Sequence, residues 1–183
     1  MPYKSVALIL ALIGAPVAAQ AGDSMLETFD NHPQTRWRFF ADTVMGGVSS
    51  GQVVFKTDGG QAYAHLSGTV STQNNGGFIQ IRHQLDEAVP SDAVGVRLIV
   101  RGNDQDYFVH LRTRGTVLPW QYYQGQFHVT AEWREIRLPF TQFKASGKLL
   151  RTTPRPQDLK SVAIVAFGRN YEAAIDVKEV GFY

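Results

Sequence analysis

The sequence predicts an all-β domain, a two-sheet antiparallel β-sandwich of the jelly-roll kind. Three observations predict it. Short runs in which apolar and polar residues alternate recur from Arg36 to the C-terminus. Clusters of turn residues separate the runs at Asp58-Gly59-Gly60, Pro90-Ser91-Asp92, Gly102-Asn103-Asp104 and Thr153-Pro154-Arg155-Pro156. No window after the N-terminal leader keeps a convincing helical period, and about ten short strands in one domain favour two facing sheets over an open one.

Residues 1–21 read as a leader outside that body. Lys4 supplies a short positive region, Val6 to Ile13 an apolar one, and Ala19-Gln20-Ala21 an A-x-A cleavage signal. The apolar run is short of the roughly 20 residues of a membrane span. The expected product begins at Gly22, with a cut before Gln20 as the alternative. It is one periplasmic or secreted domain over residues 22–183, without a membrane span. Gly22 to Gln34 reads as a lead-in, with Phe29 packing onto the body.

The strands follow in order. Arg36–Phe40, Gly51–Lys56, Ala62–Ser71 and Phe78–Gln84 come first. Val94–Arg101 is the clearest, with Val94, Val96, Leu98 and Val100 alternating against Gly95, Arg97, Ile99 and Arg101. Tyr107–Thr113 repeats that pattern. Trp120–Val129, Trp133–Leu138, Val162–Phe167 and Ala173–Phe182 complete the set, with a single helical turn near Gln157–Lys160.

Two doubled glycines punctuate the first half. Asp42-Thr43-Val44-Met45-Gly46-Gly47-Val48-Ser49-Ser50 and Asn74-Asn75-Gly76-Gly77-Phe78 each mark a sharp bend where no Cβ fits. Asp42, Ser49, Ser50, Asn74 and Asn75 bring side chains that can bond the backbone groups such bends free. The bends are either turns of a β-domain or a loop that meets a ligand or partner.

Composition excludes several classes. The formal net charge is +2 with no basic stripe, so nothing points to nucleic acid. Cysteine is absent, which rules out disulfides, thiolate metal sites and a cysteine nucleophile. No G-x-S-x-G, H-E-x-x-H or G-x-x-x-x-G-K motif occurs, and His32, His65, His83, His110 and His128 show no ligand spacing. His83 and His110 read as partly exposed strand residues, and Asp104-Gln105-Asp106 as a turn. A hydrolase pair would have to come from Asp42, Glu132 or Glu135, which nothing in the sequence joins. No catalytic residue, metal or cofactor is assigned.

Aromatic and arginine residues carry the remaining signal. Trp120 and Tyr122 fall on one face of an expected strand, while Arg82, Arg101 and Arg112 are expected in neighbouring strands. Such groups stack on a sugar or anchor a protein partner, or else the rings are core and the arginine stems cover it.

The ordered blocks resemble a known family. Trp37, then Asp42-Thr43-Val44-Met45-Gly46-Gly47-Val48-Ser49, Leu66-Ser67-Gly68-Thr69-Val70-Ser71, Asn75-Gly76-Gly77-Phe78 and Arg82 match the opening of the complex I intermediate-associated protein 30 family. Val100-Arg101-Gly102, Tyr107, Leu111-Arg112, Phe127, and Trp133 to Phe143 with its Leu138-Pro139-Phe140 continue the match. The resemblance implies a galactose-binding-domain-like jelly roll and a non-enzymatic role as an assembly factor. It draws attention to Asp42, Met45, Gly46, Gly47, Ser49, Asn75, Gly76, Gly77, Arg82 and Arg112. Mitochondrial members work in the matrix, whereas the leader read here sends this chain to the opposite face of the membrane. The expected function is therefore recognition of a protein partner, such as an envelope or membrane complex. The alternative is a carbohydrate-binding module using Trp120, Tyr122 and Arg112.

Overall fold

Alternation along the strands decides which side chains meet. In the computed structural model, which describes residues 22–183, twelve strands pair antiparallel throughout. They are β1 (Ser24–Glu27), β2 (Trp37–Ala41), β3 (Ser50–Asp58), β4 (Gln61–Val70), β5 (Phe78–Gln84), β6 (Gly95–Gly102), β7 (Asp106–Thr113), β8 (Tyr123–His128), β9 (Arg134–Pro139), β10 (Lys144–Ala145), β11 (Leu159–Phe167) and β12 (Tyr171–Phe182). One sheet runs β3-β4-β12-β6-β9, with β1 added on β12, and the other runs β10-β8-β7-β11-β5-β2. The chain is an all-β sandwich, as its alternation predicts. The leader at residues 1–21 lies outside the described residues.

The inward faces make one core. Val96, Leu98 and Val100 of β6, Ile79 and Ile81 of β5, Val109 and Leu111 of β7, and Val162 and Ile164 of β11 are all closed to solvent. Each such side chain contributes about 1.5–3 kcal/mol relative to exposure. Trp37 is buried among Phe29 and His83, at ring centroid distances of 5.5 and 5.4 Å.

Two expectations need correcting here, those for Trp120 with Tyr122 and for the two strand histidines. The lead-in packs onto the body through the buried Phe29, as expected. It forms β1, and the buried Glu27 carboxylate gathers the Phe29 amide at 2.7 Å, Trp37 Nε1–H at 3.0 Å and two donors of Arg36. Trp120 and Tyr122 do not share a strand face. The strand begins at Tyr123 because the Gln121 side-chain carbonyl collects the Val117 and Leu118 amides, at 2.9 and 3.0 Å, and folds that stretch into a turn. Trp133 stays partly exposed, edge-on to Tyr63 with Arg101 over its ring, outside the core. His83 and His110 are buried, not partly exposed.

Candidate functional site

Asp42 is fully buried, although it sits in an exposed-looking loop sequence. It follows β2, where the chain leaves the second sheet for β3 of the first. The bend at Gly76 and Gly77 joins β4 to β5, the reverse crossing. The Asp42 carboxylate fastens the two crossings together. Oδ1 accepts the Ser49 amide at 2.9 Å, and Oδ2 accepts the Ser49 hydroxyl at 2.5 Å, the Gly77 amide at 2.5 Å and the Phe78 amide at 3.2 Å. The Ser49 hydroxyl in turn accepts the Ser71 amide at 3.0 Å.

This buckle explains the doubled glycines. A Cβ on Gly47 or Gly76 would overlap the Asp42 carboxyl group, so the carboxylate fits only between bare backbones. Burial acts to raise the Asp42 pKa, but the bonds from the Ser49 hydroxyl and from the Gly77, Ser49 and Phe78 amides outweigh it. They hold the group below its ordinary value.

Of the residues singled out in the sequence, Asp42, Gly47, Ser49, Gly76 and Gly77 are thus parts of a structural fastening. Gly46 (φ 87°) and Asn75 (φ 58°) turn its two loops. Met45 is different. It projects into water with Val44 and Val48, the three being 63%, 71% and 46% exposed.

The other candidates gather elsewhere. In the second sheet the outward residues of β5, β11 and β7 form rows: Gln84, Ser161 and Arg112 in one, Arg82, Ala163 and His110 in the next. Small residues on the central strand leave a trough. Its floor at Ala163 and Val165 is closed over by a ring cluster. His110 lies flat against Tyr122, with centroids 4.1 Å apart and planes 12° apart, and Phe167 meets both edge-on. Burial drives the His110 pKa down to about 4, so the ring is neutral at pH 7, and its Nε2–H donates to Gln124 Oε1 at 3.2 Å.

The trough stays open at its Ser161 end, as a cleft of about 420 Å³ lined by Arg82, Gln84, Arg112, Arg114, Thr116 and Lys160, with Val117 at its wall. Arg112 is fixed by two bonds from Nη2 to the Thr116 and Leu118 carbonyls, at 3.1 and 3.0 Å. Arg82 lies over the Phe40 ring at 4.3 Å. Trp120 stands 64% exposed on the neighbouring turn, and Tyr122 is half-buried in the ring cluster. Arg101, expected in a strand neighbouring those of Arg82 and Arg112, belongs instead to the opposite sheet, where it is bonded to Asp176 at 2.8 Å.

Sequence reading missed Arg114 and Lys160, since nothing in their neighbourhoods says that β7 and β11 are adjacent. The candidate hydrolytic carboxylates have separate partners. Asp42 serves the buckle, Glu135 bonds Arg97 and Arg137, and Glu132 stands in solvent near Arg134. Among the described residues, no three His, Cys, Asp or Glu side chains gather as a metal would need, and no helix is long and apolar enough to cross a membrane.

Comparison with known proteins adds a family and a fold. The profile of the family described as Complex I intermediate-associated protein 30 matches residues 27–176. By sequence, no curated protein matches. The family 11 carbohydrate-binding module of the cellulosomal cellulase Lic26A-Cel5E of Clostridium thermocellum superposes with a TM-score of 0.73 at 14% identity. That match covers 90% of this chain and 95% of the module. The same organism's family 11 module in complex with a β-1,3-1,4-mixed-linked tetrasaccharide gives 0.71 at 13% identity, covering 90% and 96%. A family 30 carbohydrate-binding module gives 0.53 at 10% identity, covering 75% and 91%. At these identities the likeness concerns the fold.

Proposed function

The chain belongs to the complex I intermediate-associated protein 30 family, and from that membership we propose that it is an exported, non-catalytic binding module that recognises a protein partner. One observation carries the reading. The Asp42 buckle holds its loop by four donors to one carboxylate, and the rigid loop then leaves Val44, Met45 and Val48 in water. None of these three side chains takes part in the buckle. A fixed tip of apolar side chains loses little conformational entropy on contact, which suits docking onto another protein.

The test is to replace Val44 and Met45 together by serine. The variant keeps the wild-type melting temperature and loses the partner that the wild-type protein retains from envelope extract. Equal recovery by both proteins ends this reading. Export has its own check: the intact mass of protein recovered from the periplasm or medium should correspond to a start at Gly22, and an uncleaved cytosolic product contradicts it.

A second reading, carbohydrate binding, is supported by a different place. Arg82 and Arg112 converge in a cleft on one sandwich face, in a fold shared with carbohydrate-binding modules, one of them holding a tetrasaccharide. Calorimetric titration with neutral and charged oligosaccharides decides it.

A further inference from the structure

The cleft at the open end of the trough has an unusual charge balance. Arg82, Arg112, Arg114 and Lys160 line it together, and no carboxylate does. Among the described residues none of the four forms an ion pair, which is also true of Arg38, Arg151 and Arg169, whereas Arg36, Arg97, Arg101, Arg134, Arg137 and Arg155 do; what distinguishes the four is that they share one concavity. Gathering unneutralised cations in a concavity is unfavourable unless an anion is to be received there, and the low-dielectric walls then focus the field on it. Arg82 has no side-chain hydrogen bond among the described residues and only the Phe40 ring beneath it. Arg112 is held by the turn carbonyls through Nη2, which leaves its Nη1 donors directed by a fixed frame rather than by solvent. Burial, and after it the nearby charge of Arg112, pushes the Arg82 guanidinium below its ordinary value.

The rest of the lining says what else the ligand carries. Gln84 and Ser161 offer amide and hydroxyl groups that match sugar hydroxyls, and Trp120 offers an exposed ring on the adjoining turn. A volume of about 420 Å³ lies in the lower part of the roughly 300–1,000 Å³ range of small-ligand sites, room for a short saccharide but not for a folded surface. We propose that this cleft binds an acidic saccharide, its carboxylate or sulfate held between Arg82 and Arg112 with Arg114 and Lys160 adding charge at the mouth. The proposal rests on the carbohydrate reading above and narrows it to anionic sugars.

Calorimetric titration of the purified protein tests it, with tetragalacturonate, a sulfated heparin-derived tetrasaccharide, neutral mixed-linked glucan tetrasaccharide and tetraglutamate as probes. One acidic saccharide should bind about tenfold or more tighter than the neutral one, by charge-assisted bonds to arginine. Its affinity should fall several-fold as salt rises from about 50 to about 300 mM, because the cleft is open to ions. Which of the two acidic sugars is preferred separates carboxylate from sulfate recognition. Arg82→Gln should abolish the preference, and Arg114→Gln combined with Lys160→Gln, both exposed, should weaken it with the melting temperature unchanged. Neutral and acidic saccharides bound equally would overturn the anionic assignment and leave the carbohydrate reading standing. No saccharide bound at all would overturn both. Tetraglutamate bound more tightly than either sugar would overturn the saccharide assignment in favour of an acidic peptide.

Discussion

The Asp42 buckle and the Arg82–Arg112 cleft are both polar, yet they treat charge in opposite ways. Asp42 is buried, and its two oxygens meet four donors from Ser49, Gly77 and Phe78. The cleft is open and its guanidinium groups have no acid. The first sheet's outward face behaves like the buckle. Arg97 bonds Glu135 and Glu179, each at 2.8 Å, Arg101 bonds Asp176, and Arg137 bonds Glu135 and Asp23. The Glu179, Asp176 and Glu135 bonds raise the pKa of Arg97, Arg101 and Arg137 respectively, whereas that of Arg82 is lowered. Paired charges cross-link the first sheet's outward face, whereas among the described residues the cleft's cations have no carboxylate partner.

The contrast breaks most easily at the buckle. Asp42→Ala leaves the Ser49, Gly77 and Phe78 amides without their acceptor and should destabilise by about 3–5 kcal/mol, since each buried orphan donor costs roughly 1–3. Denaturant unfolding measures it, and a loss below about 1 kcal/mol would show that the carboxylate is dispensable.

Acid should act in two stages. His110 titrates near 4 in the folded chain and near 6.5 unfolded, so the unfolded chain binds more protons between those values. Stability is then lost as pH falls from 6.5 toward 4, by an amount on the order of 3 kcal/mol, and burial lowers His83 in the same direction. Asp42 acts later. Its stabilisation is complete above its unfolded value of 3.8 and disappears as pH falls below that. His110→Gln should shrink the first stage to the part that His83 supplies and leave the second.

A smaller cost attaches to Gly76→Ala, whose methyl group must displace the Asp42 carboxyl. Thermal melts should report about 1–3 kcal/mol, as for other overpacked sites. Arg97→Ala should cost no more than about 1 kcal/mol, and less in concentrated salt, because its acids are partly solvated. The smallest effect belongs to the cleft. Arg82→Gln should leave stability within about 0.5 kcal/mol of wild type. A loss as large as that of Arg97→Ala would mean that Arg82 serves the fold, and the contrast would fail.

Much of the fold was legible because strand alternation is a local signal. Val96, Leu98 and Val100 announce an inward face, and the structure buries all three. The doubled glycines announced bends, and both are bends. What they bend around was not legible. Asp42 and Gly77 are separated by 35 residues, and only the two sheet crossings bring them to 2.5 Å. Trp120 and Tyr122 misled because alternation continues through the turn that the Gln121 side chain creates. Lys144–Ala145 was too short a strand to show any period at all.

The residues alone determined that this chain would be a β-sandwich without thiol chemistry, and which family signature it would carry, since those depend on side chains a few positions apart. Only the tertiary structure decided which signature residues are fastenings and which are free. Asp42 and Arg82 are both charged residues in turn-rich or strand sequence, and their fates diverge because folding surrounds one with donors and gives the other no acceptor. That difference is set by strand neighbours distant in the chain, which no local pattern encodes.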